Sequence, residues 1–470
     1  MKPRTKEFKT KAAETLGDPK VQNALKGLYG GFHGARIAAA EATDDWEGMQ
    51  DRARAVKAHT IDNLDRYLEQ AETNVIKAGG EVFFAKDASA ANQYVLDLAR
   101  ARGVKTVIKG KSMISEEMGL NHHLEDIGIE AVETDLGEYI IQLAEETPFH
   151  IIAPAIHKSR EEVSDLFQEK LGSPRYTEIS DMTAEARRQL REKFLAADMG
   201  ITGANFIVAE TGTVVLVTNE GNGRMCTSMP KIHVAIAGME KVVPSMEDMG
   251  TMLRLLIRSA TGQTISTYVT TVTGPRGAEE IDGPEEFHLV IVDNGRSRLL
   301  ADPQLREALY CIRCGACLNA CPVYRKVGGH SYGWVYSGPI GAVVSPMLSG
   351  LSDGKDLPFA SSLCGACREA CPVKIDIPRM LLHMRKELTE GETYPDQRNS
   401  PVLERLTMKA WKISVSGPFA LALVNRIGRI VQAPLARAGR IRRLPPPLSG
   451  WTRHRTFPKL VRPFRARWKE

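Results

Sequence analysis

Long uncharged apolar runs are missing from this 470-residue chain, and with them any stretch that reads as a membrane span. The opening residues, Met1-Lys2-Pro3-Arg4-Thr5-Lys6-Glu7, are charged and no apolar region follows them, so neither a Sec signal nor an early twin-arginine pair is evident. The expected compartment is the cytoplasm. Phosphate-cradling motifs are lacking as well. Ile108-Lys109-Gly110-Lys111-Ser112 ends like a P-loop, but Lys105 stands where its first glycine is due, and Gly221-x-Gly223-x-x-Cys226 misses the third glycine of a dinucleotide fingerprint. No flavin or nicotinamide site is expected. Cysteine is scarce too: outside one 61-residue stretch there is only Cys226.

That stretch, Cys311 to Cys371, holds seven of the eight cysteines in two blocks, each ending in Cys-Pro. The first, Cys311-Ile-Arg-Cys314-Gly-Ala-Cys317-Leu-Asn-Ala-Cys321-Pro322, is the bacterial ferredoxin run C-x2-C-x2-C-x3-C-P. Three thiolates of such a run wrap one iron–sulfur cube and the fourth reaches the other cube. The second block, Cys364-Gly-Ala-Cys367-Arg-Glu-Ala-Cys371-Pro372, carries Ser361 where its leading cysteine should be. The spacing therefore implies two [4Fe-4S] clusters, one on Cys311, Cys314, Cys317 and Cys371, the other on Cys321, Cys364 and Cys367. Disulfides do not suit clustered cysteines in a chain without secretion signals. Zinc suits C-x2-C pairs but explains neither the Cys-Pro endings nor the x3 gap. The eighth ligand stays open: a Ser361 oxygen, an exchangeable iron site and a [3Fe-4S] cluster all satisfy the count. Cys226 is distant in sequence and reads as a small buried hydrophobe.

The net charge of +5 conceals an asymmetry. From Pro401 onward sixteen Lys or Arg face two acids, a net of +14, so the first 400 residues carry −9. The chain length implies two to four domains. The fold class expected is α/β plus α. Residues 1–70 read as a helical segment, with an amphipathic helix over Ala53 to Ala71. Residues 71–297 alternate short β-branched runs with helical patterns, the rhythm of a parallel sheet covered by helices. Strands are expected at 80–84, 106–108, 130–133 and 150–153. A hairpin follows, 203–209 and 213–218 around Glu210-Thr211-Gly212, and strands at 233–238, 265–269 and 287–292 complete the same sheet. Residues 298–388 form the ferredoxin-type region, with helical patterns at 303–309 and 378–388. Residues 389–470 form a basic domain with helices at 401–415 and 419–431 and a break at Pro445-Pro446-Pro447.

Other groups carry weaker signals. Glu210 could act as an attacking carboxylate, although a turn carboxylate satisfied by nearby amides is the plainer reading. Asn219 to Arg224 forms a glycine-rich loop in which Arg224 could grip a carboxylate, or else a plain hairpin loop. Lys109 and Lys111 could hold an anion at a strand-to-helix turn. His122, His123, His157 and His233 are acid–base candidates against the commoner structural histidine. The basic tail, with Arg437, Arg440, Arg442, Arg443, Arg453, Arg455, Arg462, Arg465 and Arg467 among Trp451, Phe457, Phe464 and Trp468, invites a nucleic-acid reading that no nucleic-acid fold motif supports. An acidic partner or an anionic membrane surface explains it better.

Several stretches resemble the lactate-utilisation iron–sulfur protein B family: Val132 to Ile140, Ala153-Pro-Ala-Ile-His157-Lys158, Ala209-Glu-Thr-Gly-Thr213, Ser361-Ser-Leu-Cys364-Gly-Ala-Cys367 and Cys371-Pro-Val-Lys-Ile375. The resemblance covers nearly the whole chain, and Ser361 belongs to it. It implies a lactate-utilisation domain of sugar-phosphate-isomerase/CoA-transferase-like α/β fold, a helical two-cluster ferredoxin domain and a small C-terminal domain. It also implies two companions, a cysteine-rich-domain protein and a second lactate-utilisation-domain protein. With them the chain would be the electron-transfer subunit of an L-lactate-oxidising complex that does not use nicotinamide and makes pyruvate, the electron acceptor being open. Two other readings stand beside it. The α/β domain could itself be an enzyme on an acyl or phosphosugar substrate with structural clusters, or the chain could be a cluster-sensing DNA-binding regulator, although no nucleic-acid partner is expected.

Overall fold

Runs that are apolar on both faces form the middle of the largest sheet, which has six strands. The computed structural model describes all residues except 1–2, 112, 395, 397–400, 447, 454, 463 and 469–470, and omits the side chains of 465 and 466. Met1, Lys2, Ser112, Pro447 and the side chain of Arg465, named above, thus lie outside the described residues. The strands are β1 (Glu81–Ala85), β2 (Thr106–Gly110), β3 (Glu130–Glu133), β4 (Met199–Gly203), β5 (Phe206–Val208), β6 (Thr213–Thr218), β7 (Ile232–Gly238), β8 (Val242–Val243), β9 (Tyr268–Val272) and β10 (Glu286–Val292). Six of them lie in the order β1-β10-β7-β4-β2-β3, every neighbouring pair parallel. β4 and β7 are buried along their whole length, as helices on both faces of a parallel sheet require. Asp87, Asp135 and Ser245 cap the helices Ala88–Ala101, Leu136–Leu143 and Met246–Thr261 with their side-chain oxygens.

Three expectations are corrected. The strands do not form one sheet: β8-β5-β6-β9 is a second, four-stranded sheet. The chain leaves the large sheet after Gly203, and Asn205 ties it to the hairpin by accepting the Val217 N–H at 2.8 Å. The hairpin turns as expected, with Gly212 at φ +71°. The helix expected over Ala53 to Ala71 is two helices, Trp46–Asp62 and Leu64–Lys77, divided where Asn63 leaves helical geometry and donates its side-chain amide to His59 O at 2.8 Å. His150 to Ala153 is no strand. Its polar groups are spent elsewhere, since His150 bonds Asn319 at 2.9 Å, and Phe149 O accepts from the Tyr324 hydroxyl at 2.8 Å. Gly329 fits there because a Cβ would sit 1.6 Å from Phe149 O.

The chain divides into two compact units, Met1–Gln397 and Arg398–Glu470. In the first, one continuous apolar core runs from the N-terminal helices through the small sheet to the cysteine region. The N-terminal segment covers that region: Arg4 N donates to Gly333 O at 2.7 Å and the Gln50 amide to Cys371 O at 3.0 Å. Between the cysteine blocks lies a buried helix, Gly338–Ser349. The pattern at 303–309 becomes a 3-10 turn, Arg306–Tyr310, and that at 378–388 the helix Ile377–Glu390. The second unit contains helices Val402–Val415 and Pro418–Gln432, in which Leu403, Ile413, Phe419 and Ile430 are exposed. Among the described residues no helix is long and apolar enough to cross a membrane.

Candidate functional site

The two cysteine loops are conformational copies. In the first, Arg313 and Gly315 have φ of +61° and +76°; in the second, Leu363 and Gly365 have +56° and +88°. The short helices Ala316–Ala320 and Ala366–Glu369 follow them. Arg313 N donates to Cys311 Sγ at 3.4 Å, and at the matching place Leu363 N donates to Ser361 Oγ at 3.0 Å. The Ser361 hydroxyl therefore occupies the position that the first block gives to a thiol.

Cys311, Cys314, Cys317 and Cys371 line one small cavity, together with Ile151, Ile340 and Val373. It draws three cysteines from the first block and one from the second. Ile375 N donates to Cys371 Sγ at 3.4 Å. Cys321, Cys364 and Cys367 form a second group whose charges act on one another. Cys364 is exposed in an open hollow beside His33, Arg36 and Arg325. Burial pushes the thiols of Cys367 and Cys371 up to about 12, and that of Cys317 far above its usual range. A bound metal cation would hold such thiols as thiolates. The donor set, with amide N–H groups aimed at sulfur, fits iron–sulfur clusters.

A buried ion network stands against the Cys311–Cys314 loop. Arg296 is held by Glu117 at 2.8 Å and by Glu240 at 2.7 Å; Arg313 reaches Glu240 at 3.5 Å and lies over the Tyr336 ring, 4.2 Å from its centre. Lys57 donates to Glu240 O at 2.5 Å. Burial pushes the Lys57 and Lys241 amines down to about 8. Burial alone would raise the Glu240 carboxyl, but Arg296 and Arg313 bring it to about 2. Four cations thus face two carboxylates, and the surplus positive charge lies beside Cys311, where it would offset the negative charge of a thiolate-ligated cluster.

The same network forms one wall of a cavity of about 490 Å³. The carboxyl ends of β2, β4 and β7 open into it through Lys111, Gly203 and Gly238, the usual ligand position of an open parallel sheet. Asp135, Glu138, Glu220, Asn222 and Lys241 line it, and Ile151 and Arg313 belong both to it and to the cysteine cavity. Three buried atoms of lining residues have no partner: Arg313 Nη1, Glu138 Oε2 and Asn222 Oδ1.

The other candidates scatter. Glu210 is exposed and accepts the Met246 N–H at 3.1 Å, a satisfied turn carboxylate. Lys109 is fully buried on Glu133 at 2.7 Å and is no anion site, whereas Lys111 lines the large cavity. Asn219, Glu220 and Asn222 line the large cavity, where a ligand could be approached, but Arg224 is exposed and is no carboxylate fork there. The segment is no plain hairpin loop either, because Asn222–Ser228 is helical. His122 and His123 are exposed; His233 is buried with its Nε2 2.8 Å from Thr202 Oγ1. His157 bonds Glu146 at 2.7 Å near His330, but Lys158 engages the same carboxylate. Cys226 sits in a separate apolar cluster with Tyr139 and Phe194. Sequence reasoning missed Glu117, Glu240, Lys241, Arg296 and Tyr336. Arg313 alone had a visible signal, a cation between two cysteines.

Three family profiles match: the LUD domain at residues 68–292, the 4Fe-4S dicluster domain at 307–375 and the C-terminal domain of lactate utilisation protein B at 384–470. The chain is 46% identical over 459 residues to lactate utilization protein B of Bacillus licheniformis, covering 97% of this chain and 95% of that protein. It is 45% identical over 471 residues to the protein of that name from Bacillus velezensis, covering 100% and 97%.

Proposed function

The chain belongs to the lactate utilization protein B family, and from that footing we propose that it is the iron–sulfur electron-transfer subunit of a system that oxidises L-lactate to pyruvate. The observation that carries the reading is the cavity lined by Cys311, Cys314, Cys317 and Cys371, because only a ferredoxin-type pairing of the two blocks needs such a mixture. These four would hold the first [4Fe-4S] cluster, and Cys321, Cys364 and Cys367 the second. L-Lactate loses two electrons and two protons on becoming pyruvate, and the clusters supply a relay that takes electrons one at a time. The chain's own residues set the conditions. Amide N–H groups point at the sulfurs of Cys311, Cys321 and Cys371, and the cations beside Cys311 favour the electron-rich state. The division at residues 70, 297 and 388 belongs to the same proposal. So do docking of the two companion subunits and contact with an anionic membrane surface, which the exposed apolar and basic side chains of the C-terminal unit support.

The test is lactate-dependent dye reduction by the protein purified anaerobically with its companions. Reduction that requires this chain is expected; reduction at an undiminished rate without it would overturn the assignment. Ser361 is assigned as the oxygen ligand of the second cluster, on the strength of its matching loop. Ser361→Cys is expected to raise the reduction midpoint of that centre and leave the first unchanged, because thiolate is softer than alkoxide. Unaltered EPR and midpoints in both centres would remove Ser361 from the ligand set.

A further inference from the structure

The large cavity has no role in the relay described above, yet it is built for a ligand. It lies at the carboxyl ends of parallel strands, and polar atoms of Arg313, Glu138 and Asn222 remain there without partners. We propose that this cavity binds a small organic acid of the 2-hydroxy or 2-oxo class, with its carboxylate on Arg313 at the end that adjoins the cysteine cavity. This rests on the reading of the Cys311, Cys314, Cys317 and Cys371 cavity as a cluster site.

Arg313 is suited to the task by how it is held. One side of its guanidinium reaches Glu240 at 3.5 Å and its plane lies over Tyr336, so the group is oriented before any ligand arrives. Nη1 is left over, buried and unpaired. A carboxylate is the acceptor that matches this donor best, by charge and by geometry. Lys241, beside Glu240 on the cavity wall, adds a second cation. Elsewhere on the wall the chemistry changes. Burial pushes the Glu138 carboxyl well above the usual carboxylate range, with Glu133 and Asp135 adding to the effect. Asn222 Oδ1 is an unused acceptor. Cations at one end, with the unpartnered Glu138 Oε2 and Asn222 Oδ1 elsewhere on the wall, favour an acid that also carries a hydroxyl or oxo oxygen over a bare anion. About 490 Å³ exceeds what a three-carbon acid fills, so longer chains of the same class also fit. A carboxylate on Arg313 would lie one side chain from the cysteines, since Arg313 and Ile151 line both cavities.

The test is isothermal titration of the full, cluster-loaded chain with L-lactate, pyruvate, 2-hydroxybutanoate and inorganic phosphate, with EPR of the reduced protein in parallel. Saturable binding of the three acids, with a change in the first cluster's signal, is expected. Arg313→Gln and Lys241→Gln are each expected to weaken pyruvate at least about thirtyfold while the iron content stays at the parent level. Arg313 lies inside a cysteine loop, so if Arg313→Gln loses iron, Lys241→Gln decides. Absence of acid binding by the fully loaded parent would overturn the proposal and leave the electron-transfer reading standing. Unchanged affinity in a decisive variant would overturn it too, as would phosphate binding as tightly as the acids. Failure of the parent to load iron at all would strike the cluster reading instead.

Discussion

Cys311→Ala and Cys371→Ala, one in each block, are expected to erase the same EPR signal. Both side chains line one cavity with Cys314 and Cys317, so either loss strips a corner from the same cube. Each variant should retain about half of the bound iron, because the second cluster draws on Cys321, Cys364 and Cys367. Lactate-dependent dye reduction by the assembled system should fall to background in both, since a relay with one missing step passes no electrons. Cys364→Ala should do the reverse, sparing the first signal and altering the second. Cys226→Ala should leave iron and signals untouched, because Cys226 is packed among apolar groups with Tyr139 and Phe194. Self-contained blocks would give another result: Cys371→Ala would then alter the signal that Cys364→Ala alters. That outcome would break the cross-block assignment and with it the observation on which the functional proposal stands.

What could be read from the sequence divides by range. The spacing of Cys311, Cys314 and Cys317 is local, and a local constraint leaves its mark in the residue order. Ser361 was visible for the same reason, and the structure adds that its hydroxyl accepts from Leu363 N as the Cys311 sulfur does from Arg313 N. β2, β7 and β10 announced themselves as short runs rich in β-branched residues, since a strand buried on both faces has little choice of residue. Which strands share a sheet was not legible. β9 pairs with β6, and nothing in Tyr268 to Val272 names that partner. The segment at His150 has the composition of a strand but turns to meet Asn319 and Tyr324, a demand set by residues far along the chain. The buried network was hidden for the same reason. Glu117, Glu240, Arg296 and Tyr336 come from separate segments, and each alone reads as an ordinary surface residue; only Arg313, between two cysteines, gave a hint.

Arg296→Met is expected to be the most destabilising single change outside the cysteines. Arg296, Glu117 and Glu240 have side chains only 2%, 0% and 2% exposed, so removing the guanidinium leaves two carboxylates in the interior without their main cation. Breaking a buried pair in this way costs about 3–5 kcal/mol, a large share of the roughly 5–15 kcal/mol that holds a domain folded. The pH dependence identifies the cause. In the parent, Glu240 has a folded value of about 2, below its ordinary 4.5, so its contribution is complete above 4.5 and disappears only as pH falls toward 2. In the variant Glu240 keeps Arg313 and Lys241, but Glu117 loses the cation that lowers it, so burial carries the Glu117 carboxyl above its unfolded value. Folding then takes up protons, and the variant gains stability as pH falls while the parent does not. The deficit in unfolding free energy should therefore be largest near pH 7 and shrink by about pH 5, measured by denaturant titration under anaerobic conditions. Glu117→Gln combined with Arg296→Met should recover part of the loss, because one stranded charge is gone. A second readout separates this from a merely weakened core. Glu240 also holds Arg313, which stands between Cys311 and Cys314, so loosening it should shift the midpoint of the first cluster and spare the second. A deficit that stays constant with pH, with both midpoints unmoved, would mean that Arg296 fills space and does not balance charge beside the cysteines.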